Sequence, residues 1–210
     1  IITYLLIVVG GIVRVTGSGL GCPDWPTCFG RFVPPERIDS IIEYSHRAIA
    51  GVTALVVVAT FFVARQRHRD VKLIYTPLVW TLPILALQAL LGAIVVWTEL
   101  PAWLVAIHLM TALVLLGLLI TVAVTAFVRH RNPAQPDRLS FQSPFARMAL
   151  GAAIGVFVVL ISGAFVAVSD ATYACSGWPL CNGELIPSHP LGWIHMLHRL
   201  AAGLLTFHMI

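Results

Sequence analysis

The segments CPDWPTC, residues 22–28, and IEYSHRAIAG, residues 42–51, decide how this chain is read, because both return later in the same order. CSGWPLC occupies residues 175–181 and WIHMLHRLAAG residues 193–203. Two cysteines, a Trp-Pro pair and a His-Arg-x-x-Ala-Gly signature recur, with about 18 residues from the second cysteine to the histidine in each copy. Self-similarity of this kind marks a duplicated unit, so the chain reads as two related halves.

Long apolar runs surround these segments. Hydrophobic residues make up 59% of the 210 and charged ones 10%, with a mean hydropathy of +0.91, where a soluble domain carries about 25% charged residues. The fold class is therefore all-α integral membrane. At about 20 residues per crossing, the runs at 1–15, 41–64, 74–97, 102–128, 148–168 and from 191 onward give six spans. Pro77 and Pro83 fall inside the third, where membrane helices kink. The chain starts at Ile1 without a methionine and stops at Ile210, both inside apolar runs, so a fragment missing both ends is expected.

The net charge of +4 does not indicate nucleic acid. Eight of the 13 Lys and Arg, namely Arg65, Arg67, Arg69, Lys72, Arg129, Arg131, Arg138 and Arg147, sit in the two loops between spans two and three and between spans four and five. Cations concentrate on the cytoplasmic side of membrane proteins, which places both cysteine loops outside. Trp25, Trp97, Trp103, Trp178 and Trp193 then lie near the outer face, as an interfacial belt requires, and only Trp80 falls elsewhere. The halves divide as residues 1–128, a cytoplasmic linker at 129–147, and residues 148–210.

Ionisable residues within membrane spans mark function by default. His46 lies about six residues into the second span and His108 about seven into the fourth, roughly 9 to 11 Å below the outer end at 1.5 Å per residue. Two histidines at one depth on two helices suit a b-type haem, one imidazole on each side of the iron. A pair of core histidines bonded to carbonyls is the plainer alternative. The repeat puts His198-Arg199 in the place of His46-Arg47, and His195 in the place of Glu43. Glu43 precedes His46 by three residues and shares its helix face, as an acid or base beside a haem edge or as a first-turn carboxylate favoured by the helix dipole. Arg47 and Arg199 suit haem propionates, which a guanidinium binds bidentately, or snorkelling to the interface. His208 is read as structural, and His68, His130 and His189 as loop residues facing water.

Cys22, Cys28, Cys175 and Cys181 form two C-x5-C pairs on loops assigned outside. An oxidising compartment favours disulfides, and a four-cysteine zinc site is the alternative, though such sites use closer spacings. C-x-x-C-H is absent, so covalent c-type haem attachment is not indicated.

With Glu43-x-x-His46-Arg47, His108, the two C-x-x-W-P-x-C loops and His198-Arg199 together, the chain resembles the haem A synthases, a cytochrome oxidase assembly family of bacteria and mitochondria, in its cysteine-bearing bacterial branch. The resemblance runs over essentially all 210 residues. It implies eight membrane helices as two pseudo-repeated four-helix bundles, the second truncated here. It also implies oxidation of the C8 methyl of haem O to the formyl group of haem A by successive hydroxylations. On matching positions, His46 and His108 would hold the substrate haem, Glu43 would be the catalytic carboxylate, and His198 would ligate a haem b cofactor. The family's last helix and its haem ligand are missing from this stretch. Implied partners are the bilayer of the bacterial plasma membrane, haem O, a haem O synthase, an electron acceptor and further copies of the chain. Two rival functions share parts of this pattern, a membrane cytochrome b relaying electrons to or from quinone, and a haem-free transporter built from repeated halves.

Overall fold

The computed structural model describes residues Ile1–Ile210. Six α-helices follow one another: α1 (Ile2–Val15), α2 (Ile38–Arg67), α3 (Lys72–Trp97), α4 (Ala102–Arg131), α5 (Pro144–Val168) and α6 (Pro190–Met209). Short 3₁₀ turns at Ser18–Leu20 and Ala171–Tyr173 lead from α1 and α5 into the two cysteine loops. α2, α3, α4 and α5 are long and apolar enough to cross a membrane. α1, at 14 residues, is a shorter apolar helix. α6 has 20 residues but stands outside that group, since His195, His198 and Arg199 dilute its apolar run. The expectation of six spans is thus met in helices rather than in six equally apolar crossings.

Several helices extend past the apolar runs, α2 at both ends, α3, α5 and α6 at the start, and α4 at the end. α5 starts at Pro144, where the Ser143 hydroxyl accepts from the Ala146 N–H at 3.1 Å and proline occupies the first turn. A capping side chain plus a proline with φ already set is a stronger start signal than the first apolar residue. α4 runs on to Arg131, so His130 is an exposed residue of its last turn rather than a loop residue. His189 is the residue before α6, its Nδ1 accepting from the Leu191 N–H at 3.2 Å.

The chain forms two compact units, residues 1–104 with 111–138, and residues 105–110 with 139–210. In the first, α1 packs on α2 and α2 on α3. The end of this unit at the α2–α3 turn is closed by Phe61 and Ala64 of α2, Ile74 and Leu78 of α3, and Val122 of α4, with Val71 from the turn itself. The Asp137 carboxylate accepts from the Lys72 and Leu73 N–H groups at 2.5 and 2.9 Å. A carboxylate on free amides at a helix N-terminus is favourable, and it ties the segment after α4 to the start of α3. In the second unit α5 packs on α6. Most apolar side chains point outward, with 22, 28, 11 and 6% of the membrane-crossing stretches of α2 to α5 buried in the protein.

Candidate functional site

The first cysteine loop is a tight structure. Cys22 and Cys28 are bonded as a disulfide, and Cys28 pairs through its backbone with Arg31 at 2.9 and 3.1 Å. The Ser40 hydroxyl, in the first turn of α2, donates to the Gly21 carbonyl at 2.6 Å. Asp24 gathers the Thr27 hydroxyl and the Phe29 and Gly30 N–H groups on one carboxylate.

That carboxylate gives the loop an acid limit. The Thr27 hydroxyl first, then the Gly30 and Phe29 amides, lower the Asp24 pKa from 3.8 to about 2. A carboxyl group whose pKa falls on folding stabilises the folded loop fully above its unfolded pKa, and the contribution is lost as pH falls through the folded value. Pepsin cleavage within residues 22–36 is therefore expected to rise as the pH is taken from 4 to 2. The second loop has a neutral amide in the corresponding role. Asn182 Oδ1 accepts from Ser176 N and Oγ at 2.9 and 2.7 Å, and its Nδ2 donates to the Ala174 carbonyl at 2.9 Å. Its cleavage should not change over that range, and Asp24→Asn should remove the pH dependence of the first.

Arg47 ties this loop to α2. Its Nη1 donates to the Asp24 and Thr27 carbonyls at 2.5 and 2.8 Å, its Nη2 to the Cys22 carbonyl at 2.8 Å, and its Nε to Glu43 Oε1 at 2.8 Å. The pair is buried, with side chains 10% and 7% exposed. A guanidinium has five N–H groups, so one is left. Of the two roles open to Arg47 from sequence, propionate ligand or snorkelling cation, neither describes these bonds. A third role, strut of the disulfide loop, occupies most of its donors.

His46 follows Glu43 by three residues on α2. Its imidazole lies against α1 at Gly10, where a Cβ would stand 3.1 Å from the ring Cε1. Its Nδ1 is buried and makes no hydrogen bond within the protein, so nothing on that side ties the ring away from a group that engages the imidazole from outside the protein. His108 is half-buried on α4, in the 105–110 segment that belongs to the second unit. On the inner side of α4 from it, Thr111 receives a hydrogen bond from Gln88 Nε2 of α3.

The second unit shares several local features with the first. Cys175 and Cys181 form a disulfide and Cys181 pairs with Glu184. Both loops hold a cis Trp-Pro bond, at Trp25-Pro26 and Trp178-Pro179. Arg199 Nη1 donates to the Gly177, Pro179 and Leu180 carbonyls at 2.6, 3.3 and 3.0 Å, and Nη2 to that of Cys175 at 3.3 Å. The Arg199 Nε has no carboxylate beside it, because His195 replaces Glu43 and donates from Nδ1 to the Ala171 carbonyl at 2.9 Å. His198 lies against Gly163 of α5, where a Cβ would stand 3.0 Å from Cε1. Its Nδ1 meets Ser162 Oγ at 2.9 Å. His208 Nε2 donates to the Met148 carbonyl at 3.0 Å and holds α6 to α5.

The structure thus gathers Glu43, His46 and Arg47 at the first loop, and His195, His198 and Arg199 at the second. With all four cysteines in disulfides, no thiolate remains for zinc. Gly10, Gly163 and Ser162 escape the sequence reading. The one available signal for the glycines is that both stand inside apolar helices at matching places ahead of the two cysteine pairs, where an isolated helical glycine calls for a packing reason.

Comparison with known proteins covers the whole chain. The family described as "Cytochrome oxidase assembly protein" matches residues 1–41 and 36–210. A "Heme A synthase" of Exiguobacterium sibiricum is 33% identical over 213 residues, covering 98% of this chain and 68% of that protein. A "Heme A synthase" of Bacillus pumilus is 32% identical over 217 residues, covering 98% and 69%, and one of Staphylococcus aureus is 31% identical over 195 residues, covering 92% and 64%. Matched from end to end by that family's pattern, with its two disulfide-strutted histidine helices inside the matched residues, this chain belongs to the cytochrome oxidase assembly protein family.

Proposed function

We propose that this protein works in haem A biosynthesis as a haem A synthase of the bacterial plasma membrane, converting the C8 methyl of haem O to a formyl group by successive hydroxylations. The observation that carries the reading is the unpartnered, buried Nδ1 of His46, held against Gly10 one turn from a buried carboxylate. His46 and His108 would be the ligands of the substrate haem. His198 holds a haem b. When bound, that haem supplies one-electron transfer toward an external acceptor.

Glu43 is the catalytic carboxylate. Its Oε1 accepts from Arg47, and Oε2 remains to hold or move a proton at the substrate methyl, the kind of task that contributes 10²–10⁴-fold in rate. Arg47 keeps that carboxylate oriented, and orientation is itself a large part of catalysis. The one remaining N–H of Arg47 and those left on Arg199 would be available to haem propionates. The residues divide as a substrate-haem half at 1–128, a linker at 129–147 and a cofactor-haem half at 148–210. Disulfides on both cysteine loops, and arginines at the opposite helix ends, support an outer location for the loops. A haem O synthase upstream and association with further copies complete the assignment of partners.

Glu43→Gln preserves the shape of the site and removes its charge. Haem extracted from cells carrying this variant is expected to contain haem O and no formyl haem, at a conversion reduced by at least about 100-fold, while the purified protein keeps its haem. Unchanged conversion would remove Glu43 from the mechanism. Extracts of the unaltered protein holding haem b alone, with no product from supplied haem O, would instead identify an electron relay.

A further inference from the structure

Besides Glu43 against His195, the two histidine sites differ in a hydroxyl beside the ring. Cys22 and Cys175, Cys28 and Cys181, and Gly10 and Gly163 are each 153 positions apart. By the same step Ser162 corresponds to Val9. Ser162 Oγ lies 3.1 Å from the Val159 carbonyl of its own helix and 2.9 Å from His198 Nδ1. A hydroxyl carries one proton. With that proton donated to the carbonyl, which can only accept, Oγ receives the hydrogen bond from His198 Nδ1–H. The lone pair of the neutral imidazole is then on Nε2. In the first unit valine offers no hydroxyl, and His46 Nδ1 has no partner.

We infer that Ser162 is a positioning residue that fixes His198 in the tautomer and orientation of a permanent iron ligand, and that Val9 at the matching place leaves His46 a ligand from which haem departs readily. This rests on the reading of His198 as a haem ligand. The physical reason is general. A ligating histidine that donates its second N–H is locked in rotation and made more basic, and loss of that partner typically weakens metal binding 10–100-fold. A cofactor site benefits from that lock. A site whose haem enters as substrate and leaves as product does not. Gly163 and Gly10 admit the ring equally, at 3.0 and 3.1 Å from a built Cβ, so the close approach is common to both sites, whereas the hydroxyl on the ring nitrogen belongs to the second alone.

The test follows loss of b-type haem from the detergent-purified protein to excess apomyoglobin, with redox titration of the haem that remains. The unaltered protein is expected to lose haem in a fast and a slow phase. His198→Ala should abolish the slow phase, and its persistence there would refute the ligand reading itself. Given that result, Ser162→Ala should speed the slow phase by about tenfold or more and raise the midpoint potential of that haem, because a less basic imidazole favours the ferric state less. Ser162→Thr keeps the hydroxyl and should restore both. Val9→Ser should slow the fast phase. A Ser162→Ala protein with unaltered slow phase and potential overturns the inference, and so does a Ser162→Thr protein as impaired as the alanine variant, since that result assigns serine a packing role only.

Discussion

Arg47→Ala is expected to be among the most damaging single substitutions in the first unit, costing about 3–5 kcal/mol. The alanine removes one half of an ion pair whose side chains are 10% and 7% exposed, and so leaves the Glu43 carboxylate buried without its counter-charge. It also strips the Cys22, Asp24 and Thr27 carbonyls of their donor. Arg199→Ala removes comparable carbonyl contacts in the second unit, yet strands no carboxylate, because His195 stands where Glu43 does. Its cost should be smaller, near the 1–3 kcal/mol of unsatisfied polar groups. Thermal unfolding of the two variants in the same detergent measures the difference. The double replacement Glu43→Gln with Arg47→Ala should be less destabilised than Arg47→Ala alone, since the stranded charge is gone. Equal losses for the two arginines, or a double variant worse than the single, would show that the buried pair does not dominate. Lysine is no substitute at position 47, because a single ammonium cannot reach three carbonyls and a carboxylate in the planar arrangement of a guanidinium.

Gly10→Val is expected to empty the first histidine site while leaving the helices folded. The Cβ alone would sit 3.1 Å from His46 Cε1, tighter than ordinary contact, and the two further methyls of valine must displace the ring. Overpacking of this kind costs about 1–3 kcal/mol, too little to unfold α1 and α2, but enough to move an imidazole off its axis. Haem retention at that site should fall by more than tenfold. Gly11, the next residue, meets nothing within 4 Å. Gly11→Ala should be neutral or stabilising by up to about 1 kcal/mol, the helix propensity gained over glycine. The same contrast applies to Gly163→Val, with the loss falling on the His198 haem. Haem content per protein, with circular dichroism to follow the helices, distinguishes the outcomes. A Gly10→Val protein with full haem content would mean that His46 is not a ligand in the position described.

The helices and their order were legible from the apolar runs, because burial in lipid imposes length and composition on each span. His46 and His198 were legible through duplication, since two copies of His-Arg-x-x-Ala-Gly behind a cysteine pair identify each other. The disulfides followed from the side of the membrane on which the loops lie. The arginines were not legible. Whether Arg47 meets a haem, lipid or the chain itself depends on where three carbonyls of the 22–28 loop point, and a disulfide turn sets those directions only once it is folded against the start of α2.

Ser162, Gly10 and Gly163 were hidden for a related reason. A serine or glycine inside an apolar run has no partner in sequence, and acquires one only when α5 crosses α6, or α1 crosses α2, at a particular rotation. Sequence by itself determined that this is a helical membrane protein in which a cysteine pair followed by a His-Arg pair occurs twice, because hydrophobic length and repetition are local properties of the chain. Tertiary structure alone decided which atoms those residues meet: Arg47 on its loop and Glu43, His198 on Ser162, and His46 with its Nδ1 unpaired. Hydrogen bonds at 3 Å between elements 20 or more residues apart are fixed by how helices pack, and no local pattern encodes that.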